Sequence, residues 1–304
     1  MTSPRRSGTS RAAAILALAL AIAPQPASAG PIDLYYQRAV MSDAGVRCRL
    51  FTPEIASALN AARAQARGAA LRGGADDDAL QDAADRAWAA AGRAPCNSRD
   101  IATAAGRVRV AFDGYSRLLR LDLPGDVGAW RADRTLPIGG PVWRLAQTTT
   151  LGAAGLTFGL AGRRGEAPQL LAASDFAGGA QPYAARLLIR DPGRAPKPYL
   201  DVRRLGATAG VPLKARIPPR AMSLVFPAST RAPADRRLLA TGQTSALAFG
   251  FPLAAVDAIG RLDPREAITV EFLYSGPAGN WARQAYIEVG DFAAGQAFLT
   301  VARR

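Results

Sequence analysis

Two kinds of side chain are spaced so that they could do chemistry: carboxylates that fall in pairs, and arginines crowded between residues 200 and 240. Glu271 and Glu288 lie on two strand-like runs that flank Ser275–Asn280, so a hairpin would set them facing each other. Glycoside hydrolysis uses such a pair about 5–10 Å apart, one group as acid and the other as base or nucleophile. Alternation puts both glutamates opposite the apolar positions, which predicts that they meet solvent. Asp263 and Glu266 flank Pro264, where a turn or a helix cap accounts for them. Ser223 follows Lys214, which sits in a strand-like stretch, by nine positions; Lys197 lies between two prolines. Serine with lysine is a nucleophile arrangement that needs no histidine, but no S-x-x-K spacing fixes it here.

The arginines Arg203, Arg204, Arg216, Arg220, Arg236 and Arg237 are the candidate anion-binding set, with Arg231 and Lys214 among them. Guanidinium forks bind carboxylate and phosphate in two-pronged fashion. Such a surface suits lipid head groups, acidic polysaccharide or another envelope protein, if the arginines share a face; otherwise they are solvated loop charges. The net charge of +14 is almost all arginine, since Lys197 and Lys214 are the only lysines. No basic-aromatic motif of a nucleic-acid reader is present, so nucleic acid is not an expected partner.

Absences narrow the chemistry further. The chain has no histidine, which removes Ser-His-Asp and Cys-His catalysis and histidine metal sites. Two cysteines cannot make a four-thiolate centre. No metal and no cofactor is expected. Asp76-Asp77-Asp78 precedes a helical run, where acids cap free N–H groups and suit the helix dipole. Gly159, Gly162 and Gly165 form G-x-x-G-x-x-G, but Glu166-Ala167-Pro168 follows where a phosphate loop needs a helix. A hairpin turn carrying Arg163 and Arg164 is the expectation there.

The elements that must hold these residues fall into two blocks. Residues 32–44 predict a short helix before Gly45. Thr52-Pro53-Glu54 opens a second helix that runs to about Arg72, with a cap, a first-turn proline and an acid in order. A third runs from the aspartates to Ala91 with Leu80, Ala84, Ala87, Trp88 and Ala91 inward. Ser98 caps a fourth, running to about Leu121, on the stripe Ile101, Ala105, Val108, Phe112, Tyr115, Leu119. Cys48 and Cys96 bracket the second and third helices and are expected to form one disulfide.

From about residue 126 the period changes to two. Strands are expected at Trp143–Thr149, Leu156–Leu160, Ala185–Arg190, Tyr199–Arg203, Met222–Phe226, Leu247–Phe251, Ile268–Tyr274 and Ala285–Val289, with short helices at Leu253–Ile259 and Phe292–Leu299. The expected class is α+β: a disulfide-closed helical module over 30–122, a linker over 123–140 rich in glycine and proline, and a mostly antiparallel β domain over 141–304. A sandwich, or a small and partly open barrel, suits that many short strands.

Residues 1–29 have the order of a secretory leader: Arg5, Arg6 and Arg11, the apolar run Ala12–Ala23, then Ala27-Ser28-Ala29. Cleavage after Ala29 is expected. The apolar run spans only about 18 Å as a helix, short of a bilayer core of roughly 30 Å, so no transmembrane anchor is expected to remain. Together with the cysteine pair this predicts a periplasmic or secreted protein.

The end of the chain carries a further pattern: a short helix (Ala255–Ile259), two β runs (Ala267–Leu273 and Gln284–Val289), then Gly290-Asp291-Phe292-Ala293-Ala294-Gly295. Over roughly the last 50 residues it resembles the invasion-associated-locus-B-like proteins of bacteria. It departs from them in length, in its helical front and in lacking a C-terminal cysteine. The resemblance implies an exported, β-rich protein and brings no catalytic residues with it. The function expected from the sequence is therefore a non-enzymatic envelope protein that binds a partner or anionic polymer. A carboxylate-dependent hydrolase of an envelope polysaccharide is the alternative.

Overall fold

A computed structural model describes residues 30–176, 179–200 and 210–301. It is an α+β protein, helices first and antiparallel sheets after. Helix α1 spans Pro31–Cys48, α2 Pro53–Arg72, α3 Asp77–Arg93 and α4 Arg99–Arg117. Proline at the first helical position starts α1 and α2. The carboxylate of Asp76 and the hydroxyl of Ser98 accept backbone N–H groups at the starts of α3 and α4. Gly45 does not stop α1, and Gly92 does not stop α3.

The buried stripe of α3 is Leu80, Ala83, Ala87 and Ala91. Trp88, expected inward, is 73% exposed. It flanks the stripe, and the small alanines let α3 pack closely on α1, a distance an indole would not permit. Cys48 and Cys96 are bonded, with Cα atoms 5.5 Å apart, tying the end of α1 to the loop before α4. A crosslink over 48 positions stabilises by roughly 4 kcal/mol in the chain-entropy model.

The fourth helix ends at Arg117, short of the expected Leu121, because the chain turns into strand. Strand β1 (Arg120–Leu123) ends where the linker was expected to begin, and β2 (Trp130–Asp133) lies within it. They pair with each other, and β2 pairs with β3 (Val142–Leu151). The sheet continues through β4 (Ala154–Gly162) and β5 (Gln169–Ser174). Between these two lies the Arg163–Arg164 hairpin turn, as expected, with Gly165 at φ +82°, while Gly159 and Gly162 belong to β4. At Gly159 a Cβ would sit 1.9 Å from the Leu145 carbonyl oxygen, so the bulge between Trp143 and Leu145 demands glycine.

The four-stranded sheet contains β6 (Ala184–Arg190), β7 (Ser223–Pro227), β10 (Ala267–Gly276) and β11 (Gly279–Glu288), in the order β11-β10-β6-β7. Strands β8 (Thr230–Pro233) and β9 (Leu247–Phe251) complete the seven-stranded sheet, ordered β1-β2-β3-β4-β5-β9-β8. Helices α5 (Leu253–Gly260) and α6 (Phe292–Thr300) fall where the sequence places them. The expected strand at 199–203 is not formed by Tyr199 and Leu200, and its remaining residues lie outside the described ones. Among the described residues no helix is long and apolar enough to cross a membrane.

One apolar cluster draws on both sheets and both C-terminal helices, including Phe158, Phe249, Phe272, Ile287 and Phe292. The rings of Phe176, Phe249 and Phe272 meet edge to face, their centroids 5.2–6.3 Å apart. Arg134 joins the helical and β regions. Its Nε donates to the Phe298 carbonyl at 2.8 Å, its Nη1 donates to those of Tyr115 and Ser116, and its guanidinium lies 3.7 Å from the centre of the Phe298 ring. Carbonyls near the ends of α4 and α6, where the helix dipole is negative, thus share one cation.

Candidate functional site

The candidate carboxylates are already committed. Glu288 is fully buried and accepts three successive backbone N–H groups, from Asp126, Val127 and Gly128, each at 2.8 Å. That loop needs its glycines: a Cβ on Gly125 would come within 2.2 Å of the Gly128 carbonyl oxygen. Glu271 is buried as well, bonded to Gln284, Arg186 and Arg220. Burial raises its carboxyl, but the hydrogen bonds from Gln284 and Arg186 outweigh this and hold it below its ordinary value. The expectation that both glutamates meet solvent is therefore overturned. The face that alternation assigns to water is covered, at β10 and β11, by the 3-10 turn Leu213–Arg216. Nor do the two glutamates face each other: Glu271 pairs with Gln284 and Glu288 with Ala267, four rungs apart, about 13 Å along the strand. Asp263 and Glu266 do form a turn. Asp263 accepts from the Arg265 backbone, and fully buried Glu266 takes a two-pronged bond from Arg190 at 2.6 and 2.9 Å.

Among the described residues the arginine set is dispersed. Arg203 and Arg204 lie outside the described residues. Arg216, fully buried, donates to the Val211 carbonyl at 2.8 Å and to Asp126 at 3.2 Å, so it has no surface to offer an outside anion. Arg220 precedes β7 of the four-stranded sheet and leans on Glu271. Arg236 and Arg237 follow β8, at the edge of the other sheet, where Arg237 donates to the Ile138 carbonyl. Arg231, on β8 itself, binds the Pro182 carbonyl. The serine–lysine idea gains no support: the Ser223 hydroxyl donates to the Pro219 carbonyl, and Lys214 is exposed on a 3-10 turn rather than a strand. Asp77 of the aspartate run pairs with Arg67 and Arg265. Among the described residues no three His, Cys, Asp or Glu side chains group to hold a metal.

A second charged knot lies where α2 and α3 reach the sheets. Arg72, at the end of α2, bonds both oxygens of Asp291 at 3.2 and 3.3 Å and lies 4.0 Å from Asp126. Burial pushes the Asp291 carboxyl above its ordinary value, against the pull of Arg72. This knot fastens helices to sheets and leaves no carboxylate facing outward.

An apolar concave feature lies elsewhere among the described residues, between α2 and α4. Helices α1, α2 and α3 share one tight apolar cluster, whereas α4 meets α2 chiefly through Ile55 and Phe112. Opposite Val108, Phe112 and Tyr115, helix α2 presents Ala58, Ala61 and Ala62. Alanines do not reach across such a gap, so a cavity of about 440 Å³ remains, floored by Leu121, Leu123 and Ala294. It falls within the range of about 300–1,000 Å³ typical of small-molecule pockets. Its charged lining residues are Arg38 and Arg107. Arg38 Nη1 donates to the Ala62 carbonyl, and among the described residues no carboxylate pairs with either arginine. Burial holds the Arg38 guanidinium below its ordinary value. The sequence placed Val108, Phe112 and Tyr115 on one stripe but gave no sign that the stripe opposite was too small to fill the space. Comparison with protein-family models, with curated proteins and with solved structures gives no match to this chain.

Proposed function

We propose that this is an exported bacterial envelope protein that acts by binding rather than catalysis, and that the cleft between α2 and α4 is its binding site. The observation that carries this is the cleft itself, an apolar cavity with a few polar groups, which is the arrangement small-molecule sites use. The order of residues 1–29, the cysteine pair and the resemblance of the C-terminal 50 residues support export. The hydrolase alternative gains no comparable support, because Glu271, Glu288 and Glu266 each spend their oxygens on internal donors.

The cleft is tested with a neutral, environment-sensitive dye such as N-phenylnaphthylamine. Ala111 lines the cleft from an exposed position, so Ala111→Trp fills it without forcing a side chain into the core. The expected result is a loss of dye affinity of about tenfold or more, with the circular dichroism spectrum and melting temperature unchanged. Unaltered dye binding would remove the cleft from consideration. Export has its own test. Native protein from the producing cell should begin at Gly30 and contain no titratable thiol. A retained leader together with two free thiols would contradict it.

A further inference from the structure

We infer that the cleft takes a single-chain amphiphile with a carboxylate head, a long-chain carboxylic acid, whose chain lies between α2 and α4 and whose head is met by Arg38 and Arg107. This rests on the cleft being a binding site and adds what would fill it. The walls are almost wholly hydrocarbon: Ile55, Leu59, Val108 and Phe112 on the helices, Leu121 and Leu123 beneath. Apolar surface of this kind gains free energy in proportion to the area withdrawn from water, and an alkyl chain supplies that cover. The volume of about 440 Å³ is near the low end for ligand pockets, room for one chain of moderate length rather than the two of a diacyl lipid.

Charge sets the head group. The lining contains two guanidinium groups and no carboxylate. Three arginines withdrawn from water elsewhere have anionic partners, Arg72 with Asp291, Arg190 with Glu266 and Arg216 with Asp126, while Arg134 is held by carbonyls and the Phe298 ring. Arg38, partly withdrawn from water, spends Nη1 on a neutral carbonyl, and Arg107 stands at the rim with no acidic partner among the described residues. An incoming carboxylate supplies the missing charge and takes two parallel N–H bonds from a guanidinium fork. Next to an apolar wall, where the effective dielectric is below that of water, that pairing is strengthened. A cationic head would be repelled by the same two groups, and a neutral head would leave them as they are.

The experiment compares dodecanoate, dodecanol and dodecyltrimethylammonium, each kept below its micelle concentration, by displacement of the neutral dye and by calorimetry on the full mature chain. Dodecanoate should bind at least about tenfold more tightly than dodecanol, and the ammonium more weakly than either. Arg107→Gln, an exposed change that leaves the fold alone, should erase most of the preference for dodecanoate while leaving dodecanol affinity as it was. Arg38→Gln should do the same, and if its link to Ala62 proves necessary for folding, Arg107→Gln alone decides. Raised salt should weaken dodecanoate more than dodecanol. Equal binding of dodecanoate and dodecanol overturns the head-group assignment and leaves the cleft standing. Failure of all three amphiphiles and of the dye overturns the cleft as well.

Discussion

Glu288→Leu should lower the unfolding free energy by about 4 kcal/mol or more in urea denaturation, enough to consume much of the 5–15 kcal/mol typical of a folded domain. The carboxylate accepts from three consecutive backbone N–H groups of the loop between β1 and β2. Leucine fills similar space and accepts from none of them. Each donor left unsatisfied in a buried setting costs about 1–3 kcal/mol. The main chain of the same residue stitches the sheets together: Glu288 N–H donates to the Gln147 side chain, and its carbonyl accepts from Gln147 and from the Trp130 indole. Glu288→Gln keeps one carbonyl oxygen for the loop and should cost less than half as much. A leucine variant within 1 kcal/mol of the parent would mean that water takes over the loop donors, and the account of this turn would be wrong.

The second large effect concerns the Arg190–Glu266 pair, with side chains 6% and 0% exposed. Glu266→Ala strands a guanidinium in a nearly dry site and should cost about 3–5 kcal/mol. Only the Ala195 and Pro196 carbonyls would then remain as its acceptors. Pairing Arg190→Met with Glu266→Leu should restore most of the loss, since an apolar pair of similar volume carries no desolvation penalty. Recovery stops short of complete because Glu266 Oε1 also accepts the Asp263 N–H at 2.9 Å, and leucine leaves that donor alone. A double-mutant cycle in urea measures this: the two changes should be strongly non-additive. Additive losses would show that the two residues act separately and that the pair is not the unit of stability here.

These effects share a cause. Among the described residues the protein places four carboxylates inside, Glu266, Glu271, Glu288 and Asp291, against arginine or backbone N–H. A catalytic pair must keep oxygen lone pairs free for substrate and water. Glu266, Glu271 and Glu288 spend theirs on protein donors, whereas Arg38 and Arg107 in the α2–α4 cleft sit beside hydrocarbon. That combination is why binding rather than hydrolysis is the proposed role.

Much of the local architecture was legible before folding was considered. Thr52-Pro53-Glu54 starts α2, and Asp76 and Ser98 cap the next two helices, because a capping group acts on N–H groups two or three residues away. The alternation of Ile268, Val270, Phe272 and Tyr274 announced β10, and the partner run announced a hairpin whose turn is the pair Pro277-Ala278. Two cysteines in a chain with a leader-like front allowed one pairing, and it formed. Strands β1, β2 and β8 have four residues each, too short for a period-two signal to stand out, and β5 is buried along nearly its whole length and so shows no alternation; β1 and β2 exist because β3 offers an edge to pair with. Periodicity tells which way a side chain points and not what lies in that direction. Glu271, Glu288 and Arg216 therefore looked like surface charges until segments far away in the chain closed over them, and Trp88 looked like core until helix packing selected the alanines beside it. Chain-local forces, acting over a few residues, determined the helices and the longer strands, and the count of two cysteines left one crosslink to form. Desolvation, charge pairing and the cleft between α2 and α4 depend on what distant segments bring to the same place, and only the tertiary structure decided those.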